Sequence, residues 1–350
     1  MRLRGVGDVI LTTPVLENLR AAFPRARIDY LTEPPSAPLL QAHPALNEVL
    51  VLDHKKWGTL PPVAQARAYG NFVRTLRARH YDWVIDLFGN PRTAVLALLS
   101  GARRRIGFDF RGRKLAYHLR VQPRGDRLHA VEFNLDVLRA LAVPIRTTAL
   151  TLPVGHGEAA FAVQFWREQH LHSYAAVIAF NAFGGWYTKR WALTAFAELG
   201  DLLQKECGAK IILLWGPGEW EEVQALAGMM KGAPVLAPAT TLPQLTALLA
   251  RADLLVANDS GPMHLAAAVA TPVVAIFGPT RPDLQGPWGT GHQIVSLSGL
   301  SCLGCNGLTC KIETHDCMLK LSVGQVFAAV RRSLQELSSA SRPRISGEQK

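Results

Sequence analysis

No uninterrupted apolar run in this 350-residue chain reaches the roughly 18–20 residues needed to span a bilayer, which excludes a helical integral membrane protein. No secretory leader is expected either. Met1-Arg2-Leu3-Arg4 runs straight into Gly5-Val6-Gly7-Asp8, and the apolar stretch that follows is broken by Thr12, Thr13 and Pro14. A soluble, cytoplasmic protein is therefore expected. Acidic residues are the scarcer charge, 27 against 38 Lys and Arg, and the net charge of +11 predicts acidic partners such as nucleic acid, an anionic membrane face or a phosphorylated small substrate. The arginine runs lack the aromatic interleaving of a single-strand stacking platform, which argues against nucleic acid. There is no internal repeat and no low-complexity tract.

What is present fits two α/β domains. The length predicts two domains, and 49 % hydrophobic residues suffice for two cores. Short apolar runs at Ile28–Leu31, Glu48–Leu52 and Trp83–Leu87 read as strands separated by helices. Pro144, Pro153, Gly155 and Gly157 interrupt the pattern, which restarts with strands at 175–180, 210–215, 254–257 and 273–277. The expected division is a first domain over 1–153, a second over 158–321, a helix over 322–337 and a disordered Ser/Arg/Pro tail over 338–350.

The most telling stretch is Ala252-Asp253-Leu254-Leu255-Val256-Ala257-Asn258-Asp259-Ser260-Gly261-Pro262-Met263-His264. Its apolar run suits a strand covered on both faces, and the polar turn leads into a helix with Pro262 at its first position. Such a turn either holds an anion such as a diphosphate on free N–H groups at a positive helix end, or is an ordinary turn whose Asp or Ser caps the helix.

Three further clusters fall where strands end. At the start, Gly5-Val6-Gly7-Asp8 places a carboxylate at a helix start, as a general base or only an N-cap. Asn181-Ala182-Phe183-Gly184-Gly185-Trp186-Tyr187-Thr188-Lys189-Arg190-Trp191 combines loop glycines, a hydroxyl and two cations, suited to neutralising a diphosphate or simply solvated. Trp215-Gly216-Pro217-Gly218-Glu219 offers a carboxylate for ribose hydroxyls, or the first acid of a helix-start cluster with Glu221 and Glu222.

Taken together, residues 7–14 (Gly-Asp-Val-Ile-Leu-Thr-Thr-Pro), Thr188-Lys189-Arg190-Trp191, Asn258 to His264 and Phe277-Gly278-Pro279-Thr280 resemble glycosyltransferase family 9, the bacterial ADP-heptose:lipopolysaccharide heptosyltransferases. The resemblance runs over about residues 3–335. It implies an α/β GT-B fold, with two Rossmann-like doubly wound domains facing across a cleft, the first for acceptor and the second for nucleotide-sugar. It also implies an inverting reaction with no required metal or cofactor. By position, Asp8 is then the base, and Thr188 and Lys189 face the donor phosphates. Ser260 and Gly261 offer hydroxyl and N–H to the same diphosphate, Asp259 contacts the sugar, His264 lines the donor pocket and Glu219 holds the ribose. A nucleotide-sugar epimerase or hydrolase on the same fold, or a family 9 enzyme with another donor, is the competing reading.

The implied acceptor is a phosphorylated lipopolysaccharide core, which fits the basic first domain. Arg92, Arg103, Arg104 and Arg105 are the candidate acceptor residues, with other cations expected to contact the anionic inner face of the inner membrane. A peripheral monomer is expected. Two departures stand out. Only Met1 to Arg4 precede the first glycine turn, so the first strand is expected to be truncated. In addition, Cys302, Cys305, Cys310 and Cys317 crowd one segment, either as zinc or iron–sulfur ligands outside the chemistry or as reduced structural thiols or a disulfide.

Overall fold

The computed structural model describes residues 1–110, 112–125 and 127–339, and the chain divides after Pro153 into two compact units. Most of the tail expected to be disordered lies outside the described residues; Ser338 and Ser339 end the last helix, Val323–Ser339.

In the first unit, β1 (Asp29–Thr32) pairs with β2 (Glu48–Val51), and β3 (Trp83–Asp86), β4 (Arg104–Phe108) and β5 (Leu119–Val121) form a second parallel group. Met1–Leu3 close the gap between the groups. Arg2 N–H donates to the Leu31 carbonyl at 3.1 Å, Glu33 N–H to Leu3 at 3.2 Å, and Leu87 N–H to Met1 at 3.0 Å. The opening strand is thus a stub bonded on both sides. Leu3 is fully buried among Leu31, Leu50, Leu52, Leu76 and Leu96, so even this short segment carries a core residue.

The second unit holds one six-stranded parallel sheet: β6 (Ala176–Asn181), β7 (Ala209–Leu213), β8 (Val235–Leu236), β9 (Leu254–Asn258), β10 (Val273–Phe277) and β11 (Gln293–Ser296), in the order β8-β7-β6-β9-β10-β11. Every residue of β6, β9 and β10 is buried, as expected of central parallel strands covered by helices on both faces. Counting the stub as a strand, the first unit runs β2-β1-stub-β3-β4-β5, the same Rossmann order. In each unit the order reverses at one point, between the stub and β3 and between β6 and β9. Open α/β sheets bind ligands outside the carboxyl ends of the strands at such points.

Local chemistry fixes the turn beyond β3. Asp86, fully buried at the strand end, accepts the N–H groups of Phe88 and Gly89 at 3.0 Å and the Tyr117 hydroxyl at 2.6 Å. The Tyr117 ring crosses β4 at Gly107, where a Cβ would come within 2.5 Å of the ring, so glycine is required there. Burial and the neighbouring Asp86 carboxylate push the Tyr117 hydroxyl well above the usual phenol range, and it serves as a donor.

Candidate functional site

At the switch point of the second unit, β6 ends on Asn181 and β9 on Asn258. The Asn181 side-chain amide donates to Ser260 Oγ at 2.8 Å, and Ser260 donates to the Asn258 carbonyl at 3.0 Å. With its hydroxyl so engaged and its backbone extended, Ser260 forms no side-chain cap on the helix Gly261–Ala268. Nor is Asp259 turned to that helix. Its Oδ2 accepts Lys189 Nζ and the Thr280 hydroxyl, both at 2.7 Å. The ordinary capping turn is therefore not what this segment forms. Instead an uncapped helix N-terminus stands beside a lysine held by a buried carboxylate and lying 4.4 Å from the centre of the Trp186 ring.

The loop carrying Lys189 is anchored from below. Asn258, fully buried, accepts the Trp191 N–H at 3.1 Å and donates to the Ala182 carbonyl at 2.8 Å. Asn258→Ala would leave both backbone groups buried and unpaired, costing about 2 kcal/mol or more. The expected result is a melting temperature lowered by about 4–8 °C in thermal denaturation, because the loop loses its tie to β9.

Several expected roles change on this geometry. Thr188 does not face outward: its hydroxyl is buried and donates to the Gly307 carbonyl at 2.9 Å, while its own carbonyl meets His315 Nε2 at 2.7 Å. Asp259, expected to contact sugar, is occupied by Lys189 and Thr280. Of the two loop cations, Arg190 is spent on the Gly184 carbonyl and on Glu222, leaving Lys189 as the one beside the helix. Among the three glutamates, Glu222 is taken by Arg190, and Glu219 Oε2 accepts the Gly216 N–H at 2.7 Å, closing the turn after β7. His264 is buried on the first turn of the Gly261–Ala268 helix. Sequence reasoning gave Asn181, Thr280 and Trp186 no role of their own; the signal for the first two was that Asn181 closes β6 and Thr280 lies just beyond β10.

The cysteine segment straps onto this site. Gly304 N–H donates to Gly278 at 3.1 Å and Asn306 N–H to Pro279 at 2.6 Å, beside the Gly307 and His315 contacts to Thr188. Cys302, Cys305, Cys310 and Cys317 are free thiols, and among the described residues no three or more His, Cys, Asp or Glu are grouped to hold a metal ion. Burial first, then the neighbouring Cys302, Cys310 and Cys305, push the Cys317 thiol up to about 11.

In the first unit, Asp8 lies in the short helix directly after the stub, at that unit's switch point. Gly5 has φ 84°, and a Cβ there would fall 2.2 Å from Asp8 Oδ2, so the carboxylate rests against bare backbone. Arg2 contacts the same oxygen at 3.0 Å, donates to the Leu87 carbonyl at 3.0 Å and stacks over Phe88. Arg92 stands beyond β3, 3.8 Å from the buried carboxylate of Glu33, which also faces His54 at 3.3 Å. Arg103, Arg104 and Arg105 do not join it. β4 starts at Arg104, opposite Trp83 at the start of the parallel β3, which puts them at the amino ends of the strands, the edge away from Asp8. A cavity of about 420 Å³ is lined by Phe23, Asp29, Arg79, Tyr81 and Trp83, of which Asp29 and Trp83 start β1 and β3.

Residues 69–315 match glycosyltransferase family 9 (heptosyltransferase). The chain is 30 % identical over 299 residues to lipopolysaccharide heptosyltransferase 3 of Escherichia coli, covering 82 % of this chain and 84 % of that protein. The solved family 9 glycosyltransferase of Veillonella parvula superposes with a TM-score of 0.85 at 28 % identity, over 95 % of this chain and 96 % of that one. An E. coli heptosyltransferase solved with ADP superposes with a TM-score of 0.74 at 24 % identity, over 95 % and 98 %, and shares the fold.

Proposed function

The chain belongs to glycosyltransferase family 9, and from that premise we propose that it moves a heptose from ADP-heptose to the inner core of a lipopolysaccharide acceptor, with inversion at the anomeric carbon. It is a transferase of two Rossmann-like units, the GT-B class of fold. The observation carrying the finer reading is Lys189, tethered by Asp259 and Thr280 beside the uncapped N-terminus of the Gly261–Ala268 helix. A cation and oriented N–H groups at a switch point suit a nucleoside diphosphate, whose charge grows as it leaves.

In this reading Asp8 takes the proton of an acceptor hydroxyl, whose oxygen forms the new bond to the anomeric carbon. The bond from that carbon to the diphosphate breaks, and ADP departs with the electron pair toward Lys189 and the helix N–H groups. The Ser260 hydroxyl, the Gly261 N–H and His264 line the diphosphate side, and the free oxygen of Glu219 serves the ribose. In this reading Lys189 and the helix N–H groups take the place of a divalent cation at the leaving diphosphate. ADP bound to a neighbour of the same fold, and the names of the relatives, agree with this donor and acceptor class.

Purified protein should release ADP from ADP-heptose only when heptose-deficient lipopolysaccharide is added, and mass spectrometry should show the acceptor heavier by one heptose. Chelator should leave the rate unchanged. Consumption of donor without acceptor would point instead to a hydrolase or epimerase, and transfer from another nucleotide-sugar alone would replace the donor assignment.

A further inference from the structure

The helix Pro91–Leu99, which follows β3, has an outer face unlike the rest of the surface. Its start is conventional, with Pro91 at the first turn and a capping box between Asn90 and Thr93. Its inner face buries Ala94 and Ala97 against Ala116 and Tyr117, and Leu96 in the Leu3 cluster. Outward, however, it presents Val95, Leu98 and Leu99 at 52 %, 47 % and 43 % exposure, and the 3-10 turn packed beside it adds Leu115 at 74 %. A solvated helix face normally carries Lys and Glu at such positions. This helix has no acidic residue, and Arg92 is its one charge.

The surrounding charge is mostly positive. Between Pro91 and Gly125 the sequence holds nine Lys and Arg and one acid, Asp109, which pairs with Lys114 at 3.5 Å, while the exposed Asp82 pairs with Arg103 at 3.4 Å. Parallel β3 and β4 place Arg103 and Arg104 where the helix ends, exposed, whereas Arg92 stands at its start. Lys114, half-exposed, lies in the neighbouring turn. Apolar side chains ringed by cations match the layered chemistry of an anionic bilayer, with acyl chains inside and phosphate headgroups at the rim. A nucleic acid would not reward the exposed leucines, and a second copy of the chain would bring the same excess of positive charge against itself.

We propose that the outer face of the Pro91–Leu99 helix, with Leu115, is a docking surface for an anionic phospholipid membrane. Val95, Leu98, Leu99 and Leu115 enter the interfacial region, and Arg103, Arg104 and Lys114 meet the headgroups. This gives Arg103 and Arg104 a role away from the acceptor, while Arg105 donates to the Ala116 carbonyl at 2.8 Å. It deepens the reading of a lipid-linked acceptor, yet vesicle binding is measured without donor or turnover, so the two succeed or fail separately.

The test is co-sedimentation of the full chain with phosphatidylglycerol/phosphatidylcholine vesicles at physiological salt, against pure phosphatidylcholine. The wild type should bind the anionic vesicles, and Leu98→Ser/Leu99→Ser should lower that binding at least tenfold, because the outward part of both side chains leaves water on docking. Arg103→Gln/Arg104→Gln should lower it about fivefold per arginine removed. The leucine variant should keep its melting temperature and its transfer rate on a detergent-free, delipidated core oligosaccharide. Equal binding to both vesicle types, binding unchanged in both variants, or concentration-dependent self-association that the leucine variant abolishes without any vesicle binding would each overturn the proposal.

Discussion

Asp8→Asn should lower kcat for heptose transfer by about 10²–10⁴-fold while leaving ADP binding intact, the range expected when a positioned proton acceptor is removed. The substitution is nearly isosteric, and the structure shows why little else should change. The carboxylate sits against the bare backbone of Gly5, a space that an amide fills equally well. Arg2 can still donate to the remaining carbonyl oxygen, and its hold on the Leu87 carbonyl and its stacking on Phe88 do not involve Asp8. The side chain is 39 % exposed, so folding should not depend on its charge. Initial rates with saturating donor, together with thermal stabilisation by ADP, check the prediction. A variant turning over within a few-fold of wild type would remove Asp8 as the base, and loss of ADP stabilisation would place it in donor binding instead.

How much of this was legible in the sequence follows from what each feature depends on. β6, β9 and β10 were visible because central parallel strands are continuous apolar runs. β4 was not, since it opens on Arg104 and Arg105, and the edge strands β8 and β11 are too short or too exposed to leave a pattern. The glycine turns and the lysine were legible for the same local reason. Where a side chain points was not. The partners of Thr188 and Asp259 come from Gly307, His315 and Thr280, which only tertiary packing brings near. The misplacement of Arg103–Arg105 has the same origin: composition marks a basic run, but only the strand register says which edge of the sheet it occupies. The length of the stub suggests a truncated strand, whereas its backbone bonds to β1 and to the chain beyond β3 let it keep the central position.

Lys189→Met should reduce transfer by about 10²–10³-fold, the loss expected when one preorganised charge facing the leaving group is removed. The methionine keeps most of the side chain's apolar stem and loses only the terminal ammonium, with its cation–π contact to Trp186, so the change is mainly electrostatic. It also strips Asp259 of its cation. That carboxylate is 7 % exposed and would be left with the Thr280 hydroxyl alone, which should cost about 3 kcal/mol of stability. A lower rate alone does not distinguish lost electrostatics from lost folding, and a second substitution separates the two. In Lys189→Met/Asp259→Asn the buried charge is gone and the amide still accepts from Thr280, so most of the stability should return while transfer stays as low as in the single variant. Denaturant titration and initial-rate kinetics on the same preparations decide the matter. Recovery of rate together with stability would mean that Lys189 serves only to neutralise Asp259. Recovery of stability alone is the outcome expected if the ion pair exists to hold the ammonium at the donor diphosphate.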